Sequence, residues 1–256
     1  MTRFFTESDN IKGDYIIMSN DDCAHLRSLR IKPSESFIIC DGNGTDYICR
    51  LREKEDSSSD SAAQILEKMP TRGEPTTKIT VFCALAKGDR LDYVVQKSVE
   101  LGAYEIVLFP AMRCVAVPGD INKKLIRLNR ISLEAAKQCG RGLIPNIKYI
   151  DSFEEAIKVA SRNDLPLFFY ECEKEHSLKA ALNNASSKRY YTPGQSSDTI
   201  STISIVTGPE GGFEACEVRA AEQQGLQTVS LGHRILRSET APIAALAAIM
   251  FYLDEM

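Results

Sequence analysis

Two glycine-bearing loops near the end of the chain carry the residues best suited to chemistry. The first is Thr207-Gly208-Pro209-Glu210-Gly211-Gly212-Phe213, and the second is Leu231-Gly232-His233-Arg234-Ile235-Leu236-Arg237-Ser238-Glu239-Thr240-Ala241. Each loop follows an apolar, strand-like run and leads into a helix-like run. In an open α/β sheet, such loops line the crevice outside the carboxyl ends of the strands, where small molecules bind.

The types of residue in these loops exclude the two commonest nucleotide sites. No Lys-Ser or Lys-Thr pair follows the glycines, as it would in a phosphate-binding P-loop, and the order G-x-G-x-x-G is absent. Glycines at 208, 211, 212 and 232 allow the backbone to approach a flat ligand closely, although tight turns alone are the alternative. Leu231, Ile235 and Leu236 supply either an apolar slot for that ligand or ordinary core.

Length and composition indicate an ordinary soluble protein. The chain has 256 residues, of which 43% are hydrophobic and 26% charged. No apolar run approaches the roughly 18 residues of a membrane span, and no signal peptide is expected at the start, so a cytoplasmic location is predicted. Eight cysteines without a C-x-x-C pair, together with three histidines, argue against a structural zinc site and fit a reducing compartment.

The charge is unevenly distributed along the chain. A net charge of −4 argues against wholesale non-specific binding of nucleic acid. Residues 113–148, however, hold eight Lys or Arg against two acids, and Lys123, Lys124 and Arg127 lie at the centre of this stretch. The stretch is either a solvated helix face or a surface that contacts phosphates.

The periodicity of the chain predicts two domains. Residues 1–75 are expected to form a small β-rich domain, with strands at 37–40 and 47–51 around the turn Asp41-Gly42-Asn43-Gly44, and with one short helix at 21–30. Residues 76–256 alternate strands with helices, which predicts an α/β domain with a mostly parallel sheet. The strands are expected at 79–85, 105–109, 167–170, 203–206 and 228–231, and the helices at 90–101, 121–138, 153–161, 214–224 and 240–253.

Three stretches stand out from this alternation. Residues 54–61 are predicted to be a polar loop, and residues 185–202, rich in serine and with Pro193-Gly194, a second loop. The last helix is apolar on nearly every side but too short to span a bilayer, so it is expected to be covered by protein, with a second copy of the chain as one candidate.

The two glycine loops together resemble those of the bacterial 16S ribosomal RNA (uracil-N3) methyltransferases, a branch of the trefoil-knotted SPOUT methyltransferases. Three weaker blocks also occur in the order of that family: His25–Arg30, Lys87–Asp92 with Gln96–Gly102, and Glu134–Arg141 with Pro145. The first domain is similar to the PUA-like RNA-binding β-barrel of the family. The resemblance covers nearly the whole chain.

The resemblance implies a fold, a cofactor, a target and an assembly. The fold would be a knotted α/β domain after a PUA-like barrel, and the cofactor S-adenosylmethionine without a metal. The target would be N3 of one uridine in 16S rRNA, within the assembled small ribosomal subunit, and the enzyme would be a homodimer with no membrane partner. Two alternatives remain: a methyltransferase acting on another RNA, and a non-catalytic RNA-binding ribosome-assembly factor.

The two loops would then hold S-adenosylmethionine. Glu210 and Glu239 would offset its sulfonium charge or bind ribose hydroxyls, although Glu239 can instead be an acid in the first turn of a helix. The expected cofactor-binding residues are Thr207, Gly208, Pro209, Glu210, Gly211, Gly212, Leu231, Gly232, Ile235, Leu236, Glu239, Thr240 and Ala241.

The implied reaction requires a group that stabilises an anion. Uracil N3 becomes a good nucleophile only when it loses its proton, and a planar guanidinium suits the charge then spread over the uracil oxygens. Arg237 is the first candidate, with a salt bridge to Glu210 or Glu239 as its alternative role. Arg141 is the second candidate, with a phosphate contact as its alternative. His233 is a weaker candidate for the base.

Arg3, His25, Arg27 and Arg30 match the block of the family that faces RNA, and ordinary surface charge with a core-packed His25 is the alternative. Residues 1–52 hold seven Lys or Arg and eight Asp or Glu, so any RNA contact there must be local. Lys123, Lys124 and Arg127 complete the expected RNA-binding set.

Overall fold

The computed structural model describes residues 2–32, 34–52, 62–115, 119–187 and 200–256. The chain divides into two compact units, the first made of Met1–Glu74 with Ala136–Ile144 and the second of Pro75–Ala135 with Pro145–Met256. The predicted boundary at residue 75 did not include the returning segment 136–144. That segment belongs to the first unit because the backbone N–H groups of Gly142 and Leu143 donate to Glu74 Oε1, at 2.7 and 3.1 Å.

The first unit is built on a six-stranded sheet. Its elements are β1 (Arg3–Phe5), β2 (Ile11–Lys12), β3 (Tyr15–Ile17), α1 (Asn20–Ser28), β4 (Ser36–Cys40), β5 (Thr45–Leu51) and β6 (Ala62–Pro70). The strand order is β1-β4-β5-β6-β3-β2, in which only the β1–β4 pair is parallel. Phe4, Leu26 and Phe37 are buried in a core shared by the sheet and the helix.

Helix α1 shows how the local sequence divides a short helix into two faces. The Ser19 hydroxyl accepts a hydrogen bond from the Asp22 N–H at 3.1 Å, which caps the helix start. Cys23 and Leu26 then face the core, one helical turn apart. The residues between them, including His25, and those that follow are exposed.

The second unit is built on a six-stranded parallel sheet. Its elements are β7 (Lys78–Ala84), α2 (Arg90–Glu100), β8 (Glu105–Phe109), α3 (Ile121–Cys139), β9 (Asn146–Tyr149), α4 (Phe153–Ala160), β10 (Leu165–Phe169), α5 (Leu178–Ser187), β11 (Thr202–Thr207), α6 (Ala215–Gln223), β12 (Gln227–Val229) and α7 (Thr240–Tyr252). The strand order is β12-β10-β11-β7-β8-β9, and every pair is parallel. The last residues of α3 lie in the first unit. The predicted α/β architecture with a mostly parallel sheet is therefore confirmed.

Two elements of this unit differ from the prediction. Strand β9 was not predicted, and α5 occupies residues 178–187, so 185–187 are helical rather than part of a loop. The predicted polar loop 54–61 and residues 188–199 lie outside the described residues.

Three phenylalanines anchor the loop that follows β11 to the core of the second unit. The Phe213 ring lies 4.4 Å from that of Phe168 and 5.9 Å from that of Phe153, measured between centroids. Burial of each side chain stabilises the fold by about 1.5–3 kcal/mol. The loop therefore ends at a fixed point in the core.

The final helix, α7, is buried on one side. Ala245, Leu246 and Ile249 are fully buried, and the helix contacts α2, β7 and β11. Phe251 on the other side is 77% exposed, so the chain alone does not cover the helix on every side. Within the described ranges, every helix is too short or too polar to cross a membrane.

Candidate active site

A cavity of about 600 Å³ opens at the carboxyl ends of β10, β11 and β12. This volume lies within the roughly 300–1,000 Å³ typical of small-molecule sites. The residues that line it are Arg90, Phe169, Tyr170, Glu171, Thr207, Gly208, Pro209, Glu210, Gly211, Gly212, Val229, Ser230, Leu231, Gly232, Arg234, Ile235, Leu236, Arg237, Ser238, Glu239 and Ala241. In the described part of the chain, no group of three or more His, Cys, Asp or Glu is placed to hold a metal ion.

The structure brings together both glycine loops as walls of one cavity. Every residue expected to bind the cofactor lines it except Thr240, which begins α7. Sequence reasoning missed the third wall, Phe169 to Glu171 after β10, because no glycine or motif marks the end of that strand. It also missed Arg90, Val229, Ser230, Arg234 and Ser238.

The backbone conformation requires glycine at two of these positions. Gly212 has φ +68°, and a Cβ added there would overlap the Glu171 carboxylate. Gly232 has φ +110°, a conformation that residues with a side chain rarely adopt. The glycines therefore shape the cavity by allowing close approach and sharp turns.

Side chains outside the cavity brace the first loop. Arg113 Nε donates to Glu214 Oε1 at 2.7 Å, and Arg113 Nη1 donates to the Gly211 carbonyl oxygen at 3.1 Å. The buried carboxylate of Glu217 accepts the N–H groups of Met112 and Glu214, both at 2.8 Å. The start of α6 is thereby fixed to the segment that follows β8.

The carboxylates of the two loops meet at one arginine. Glu210 Oε1 accepts the Lys87 N–H at 3.1 Å and pairs with the Arg90 guanidinium. Glu239 Oε2 lies 3.6 Å from Arg90 Nε. Partial burial favours a higher pKa for Glu210, but backbone N–H groups and Arg90 outweigh it and hold that pKa below its ordinary value. Glu210 is therefore ionised at neutral pH.

Arg237 presents a nearly free guanidinium on the wall of the cavity. Its side chain is 82% exposed, and its ion pair with Glu239 spans 3.9 Å. The alternative role of Arg237, a salt bridge to Glu239, is therefore represented only by this long contact. Ile235 on the same loop is also 82% exposed, so it is not a core residue.

The structure corrects the expectation for Arg141. Arg141 lies in the first unit, where it is 5% exposed and donates to the Glu74 carboxylate at 2.7 and 3.2 Å. Its guanidinium is therefore engaged by Glu74 and is not among the residues that line the cavity.

The structure corrects the expectation that Arg3 faces RNA in the same way. Its guanidinium forms a two-pronged pair with Asp46, at 2.6 and 2.7 Å, and donates to the Arg141 carbonyl oxygen at 3.2 Å. With its side chain 7% exposed, Arg3 supports the interior of the first unit and is not displayed toward RNA.

The other residues expected at an RNA surface are more accessible. Arg27, Arg30 and His25 are exposed, and the His25 ring packs edge-on against Phe4 at 5.7 Å without being buried. On α3, Lys123 and Arg127 are exposed and Lys124 is half-buried. Arg127 pairs with Asp92 at 2.6 Å, and Lys123 with Asp120 at 3.4 Å.

Comparison with known proteins assigns the family. A family model described as an RNA methyltransferase domain matches residues 73–250, which include the whole cavity. The chain belongs to this RNA methyltransferase family. The predicted enzyme class, a methyltransferase acting on RNA, is therefore confirmed.

Individual relatives of the family match the chain over almost its full length. The ribosomal RNA small subunit methyltransferase E of Mesomycoplasma hyopneumoniae (strain 232) is 33% identical over 244 residues, which is 95% of this chain and 96% of the relative. Its counterpart in Bacillus subtilis (strain 168) is 33% identical over 261 residues, 99% of this chain and 98% of the relative.

A solved structure shares the fold. The crystal structure of a ribosomal RNA small subunit methyltransferase E from Neisseria gonorrhoeae, bound to S-adenosylmethionine, superposes with a TM-score of 0.81 at 31% identity and covers 98% of both chains. Both units of this RNA methyltransferase therefore have counterparts in that structure.

Proposed function

We propose that this RNA methyltransferase transfers a methyl group from S-adenosylmethionine to N3 of one uridine in the 16S rRNA of the small ribosomal subunit. The observation that carries the proposal is the single cavity formed by the two glycine loops at the carboxyl ends of three parallel strands. The names of the relatives support the target, and the cofactor bound to the Neisseria gonorrhoeae protein supports the donor.

The residues of the cavity fit S-adenosylmethionine. The exposed Ile235 and the half-buried Leu231 and Leu236 offer apolar contacts to an adenine ring, and the Gly208 and Gly232 turns leave the backbone accessible to its edge. The carboxylates of Glu171, Glu210 and Glu239 line the cavity together with three arginines, and of these carboxylates Glu210 and Glu239 already face Arg90. When bound, S-adenosylmethionine supplies an electrophilic methyl group.

Arg237 is the residue proposed to stabilise the reacting uracil. Loss of the N3 proton leaves an anion whose charge is spread over N3, O2 and O4. The exposed guanidinium of Arg237 can donate to such oxygens without first breaking a close ion pair. The chain's further contribution is positioning, since a displacement at carbon requires the two reacting atoms in line.

The RNA is proposed to be held by local basic patches. His25, Arg27 and Arg30 present one patch on the first unit, and Lys123, Lys124 and Arg127 present another on α3. The first unit is not broadly basic, so a folded substrate with phosphates at fixed places suits it better than bare RNA.

The trefoil knot is a further part of the proposal. Strand β12 lies at the edge of the sheet beyond β10, whereas α7 packs on β11 and β7, so the connection 230–239 must cross the carboxyl end of β10. The segment after β10 bonds to the end of β12 there: Ser230 N–H donates to the His176 carbonyl oxygen at 2.8 Å, and Leu178 N–H to that of Ser230 at 3.1 Å. Two crossing connections in this place are what threading requires.

A homodimer is proposed as the working assembly. The apolar side of α7 that the chain leaves uncovered includes Ala248 and the 77% exposed Phe251. Exposed apolar groups on a helix that is otherwise buried are typical of an interface. A second copy of the chain would cover them.

Methyl incorporation tests the proposal. Labelled S-adenosylmethionine would be supplied with small subunits that lack the uracil-N3 mark and, in parallel, with naked 16S rRNA. The product would be mapped by reverse transcription, because an N3 methyl group blocks the pairing edge and stops the polymerase.

The expected result is a stop at one uridine, in assembled subunits and not in naked RNA. Stops at another base or in another RNA would overturn the target. Absence of cofactor binding would instead favour a non-catalytic assembly factor.

A further inference from the structure

Arg90 links the two cofactor loops from a third part of the chain. It is the first residue of α2, while Glu210 lies on the loop after β11 and Glu239 immediately before α7. Its guanidinium pairs with Glu210 and lies 3.6 Å from Glu239 Oε2. One side chain therefore joins segments that are 120 and 149 residues away in sequence.

Neighbouring groups hold both carboxylates of this link in place. The Lys87 N–H donates to the same Glu210 oxygen that pairs with Arg90, at 3.1 Å, so the segment 87–90 contacts that carboxylate twice. The Glu239 oxygen that faces Arg90 also accepts the Ser238 hydroxyl, at 3.2 Å. Both carboxylate side chains are largely shielded, with 23% and 17% exposure, so the attraction is screened less than at an open surface.

We infer that Arg90 is a positioning residue, which holds the two cofactor loops at the separation that S-adenosylmethionine requires. Without it, the carboxylates of Glu210 and Glu239 would lose the cation that both approach, and their mutual repulsion would favour separation of the two loops. The guanidinium fork suits this task because it presents several donors in a plane to two acceptors, which an ammonium group cannot do as well.

The inference rests on the proposed function, because it concerns the same cavity and the same cofactor. It goes beyond that proposal by assigning the shape of the site to a residue outside both loops. The competing role for Arg90 is direct contact with RNA phosphate, since its side chain is 40% exposed.

Isothermal calorimetry on the full chain would compare S-adenosylmethionine binding by wild type, Arg90→Lys, Arg90→Ala and Lys97→Ala. Lys97 is the matched control, because it lies on the same helix and pairs with Glu100 at 2.9 Å outside the cavity. Steady-state kinetics on small subunits and binding of 16S rRNA would be measured with the same proteins.

Arg90→Ala is expected to raise the dissociation constant and the KM for S-adenosylmethionine by about 10- to 100-fold, since small misplacements of binding groups have effects of this size. Arg90→Lys should recover part of the loss. Glu239→Gln added to Arg90→Ala should then cost little more, or relieve the repulsion, because the two residues act as one unit.

An affinity for S-adenosylmethionine within about twofold of wild type in Arg90→Ala, well below the tenfold that 1.4 kcal/mol represents, would overturn the inference. So would a loss confined to RNA affinity. If Arg90→Ala does not fold, Arg90→Lys and Arg90→Gln decide in the same assay. Failure of the wild type itself to bind the cofactor would instead sink the proposed function.

Discussion

Arg237 combines a place at the cavity with a weakly paired charge. It lies on the wall of a cavity, and its guanidinium is 82% exposed with only a 3.9 Å ion pair. Arginines that hold a fold together are paired closely, as Arg3 and Arg141 are in the first unit. The loose pairing of Arg237 therefore leaves its guanidinium available to a ligand.

Arg237→Ala is expected to lower kcat by about 10²–10³, the usual cost of removing one donor that stabilises developing negative charge. The melting temperature should not change, because the side chain packs on almost nothing. Arg237→Lys should restore little activity, since an ammonium group lacks the fixed planar donor geometry of a guanidinium.

The control for this substitution is Arg219→Ala, an exposed arginine on α6 away from the cavity. Single-turnover rates on small subunits would separate the chemical step from cofactor binding. A wild-type rate in Arg237→Ala would remove this residue from the mechanism.

Gly212→Ala is predicted to damage the cavity in two ways. The backbone has φ +68°, which costs about 1–3 kcal/mol for a residue with a side chain, and the new methyl group would overlap the Glu171 carboxylate. Calorimetry should show weaker S-adenosylmethionine binding, and thermal melting should show lower stability.

Gly225→Ala is the matched control, because it has φ +88° at the end of α6 with nothing within 4 Å of the added Cβ. It should lose stability but keep cofactor affinity. Glu171→Ala added to Gly212→Ala should recover part of the lost stability by removing the overlap. If Gly212→Ala and Gly225→Ala behave alike, the approach of Glu171 has no role in shaping the site.

At the scale of elements, the sequence predicts those strands and helices whose apolar residues follow a clear pattern. Strands such as β8, Glu-Ile-Val-Leu-Phe, are short apolar runs, which is the pattern of parallel strands buried on both faces. Strand β9, Asn-Ile-Lys-Tyr, lies at the sheet edge with Ile147 as its one buried residue, so it lacks this pattern. Helix α5 is missed because Asn183 to Ser187 are polar or small, which is also typical of a loop.

The residues of the candidate site divide in the same way, into those that the sequence predicts and those that it does not. The glycine loops can be found in sequence because backbone turns demand particular residues. The ion pairs of Arg3, Arg90 and Arg141 cannot be found, because each partner lies 43 or more residues away and only the tertiary fold brings the two together. An arginine within a family block therefore says little about whether its side chain faces ligand, RNA or core.

The Arg3–Asp46 ion pair should make the stability of β5 and its neighbouring strands depend on pH. Burial alone would raise the pKa of Asp46, but hydrogen bonds from Arg3 and from the Thr71 hydroxyl hold that pKa below its ordinary value. A lowered pKa stabilises the fold above the unfolded value of about 3.9, and this contribution is lost as the pH falls through the folded value. Asp46→Asn should cost about 3–5 kcal/mol at pH 7, since it leaves Arg3 buried without a counter-charge.

Hydrogen exchange would measure this cost strand by strand. Amides of β4 and β5 should exchange faster in Asp46→Asn at pH 7, while those of β7 and β11 in the second unit serve as an internal reference. The difference between the variant and wild type should shrink as the pH falls below the unfolded value of about 3.9 and through the lowered pKa of Asp46 in the folded protein. A difference that does not depend on pH would mean that packing, and not charge, makes the contribution.

At the scale of the whole molecule, the cavity belongs to the second unit alone. The second unit contains every residue of the cavity, and the family model begins at residue 73, close to the boundary between the units. The first unit contributes no cavity residue among those described and presents exposed His25, Arg27 and Arg30. Under the proposed function, substitutions of His25, Arg27 or Arg30 should therefore weaken RNA binding and leave cofactor affinity unchanged.

The uncovered side of α7 tests the assembly of the whole molecule. Phe251→Asp places a charge where the side chain is 77% exposed, so the folded chain alone should tolerate it. If a second copy covers α7, the variant should be a monomer by sedimentation, because a charge buried at an interface without a partner is strongly unfavourable. Ile126→Asp on α3, at 73% exposure, is the matched control and should remain a dimer. A monomeric wild type, or a Phe251→Asp variant that still dimerises, would show that α7 is not the interface.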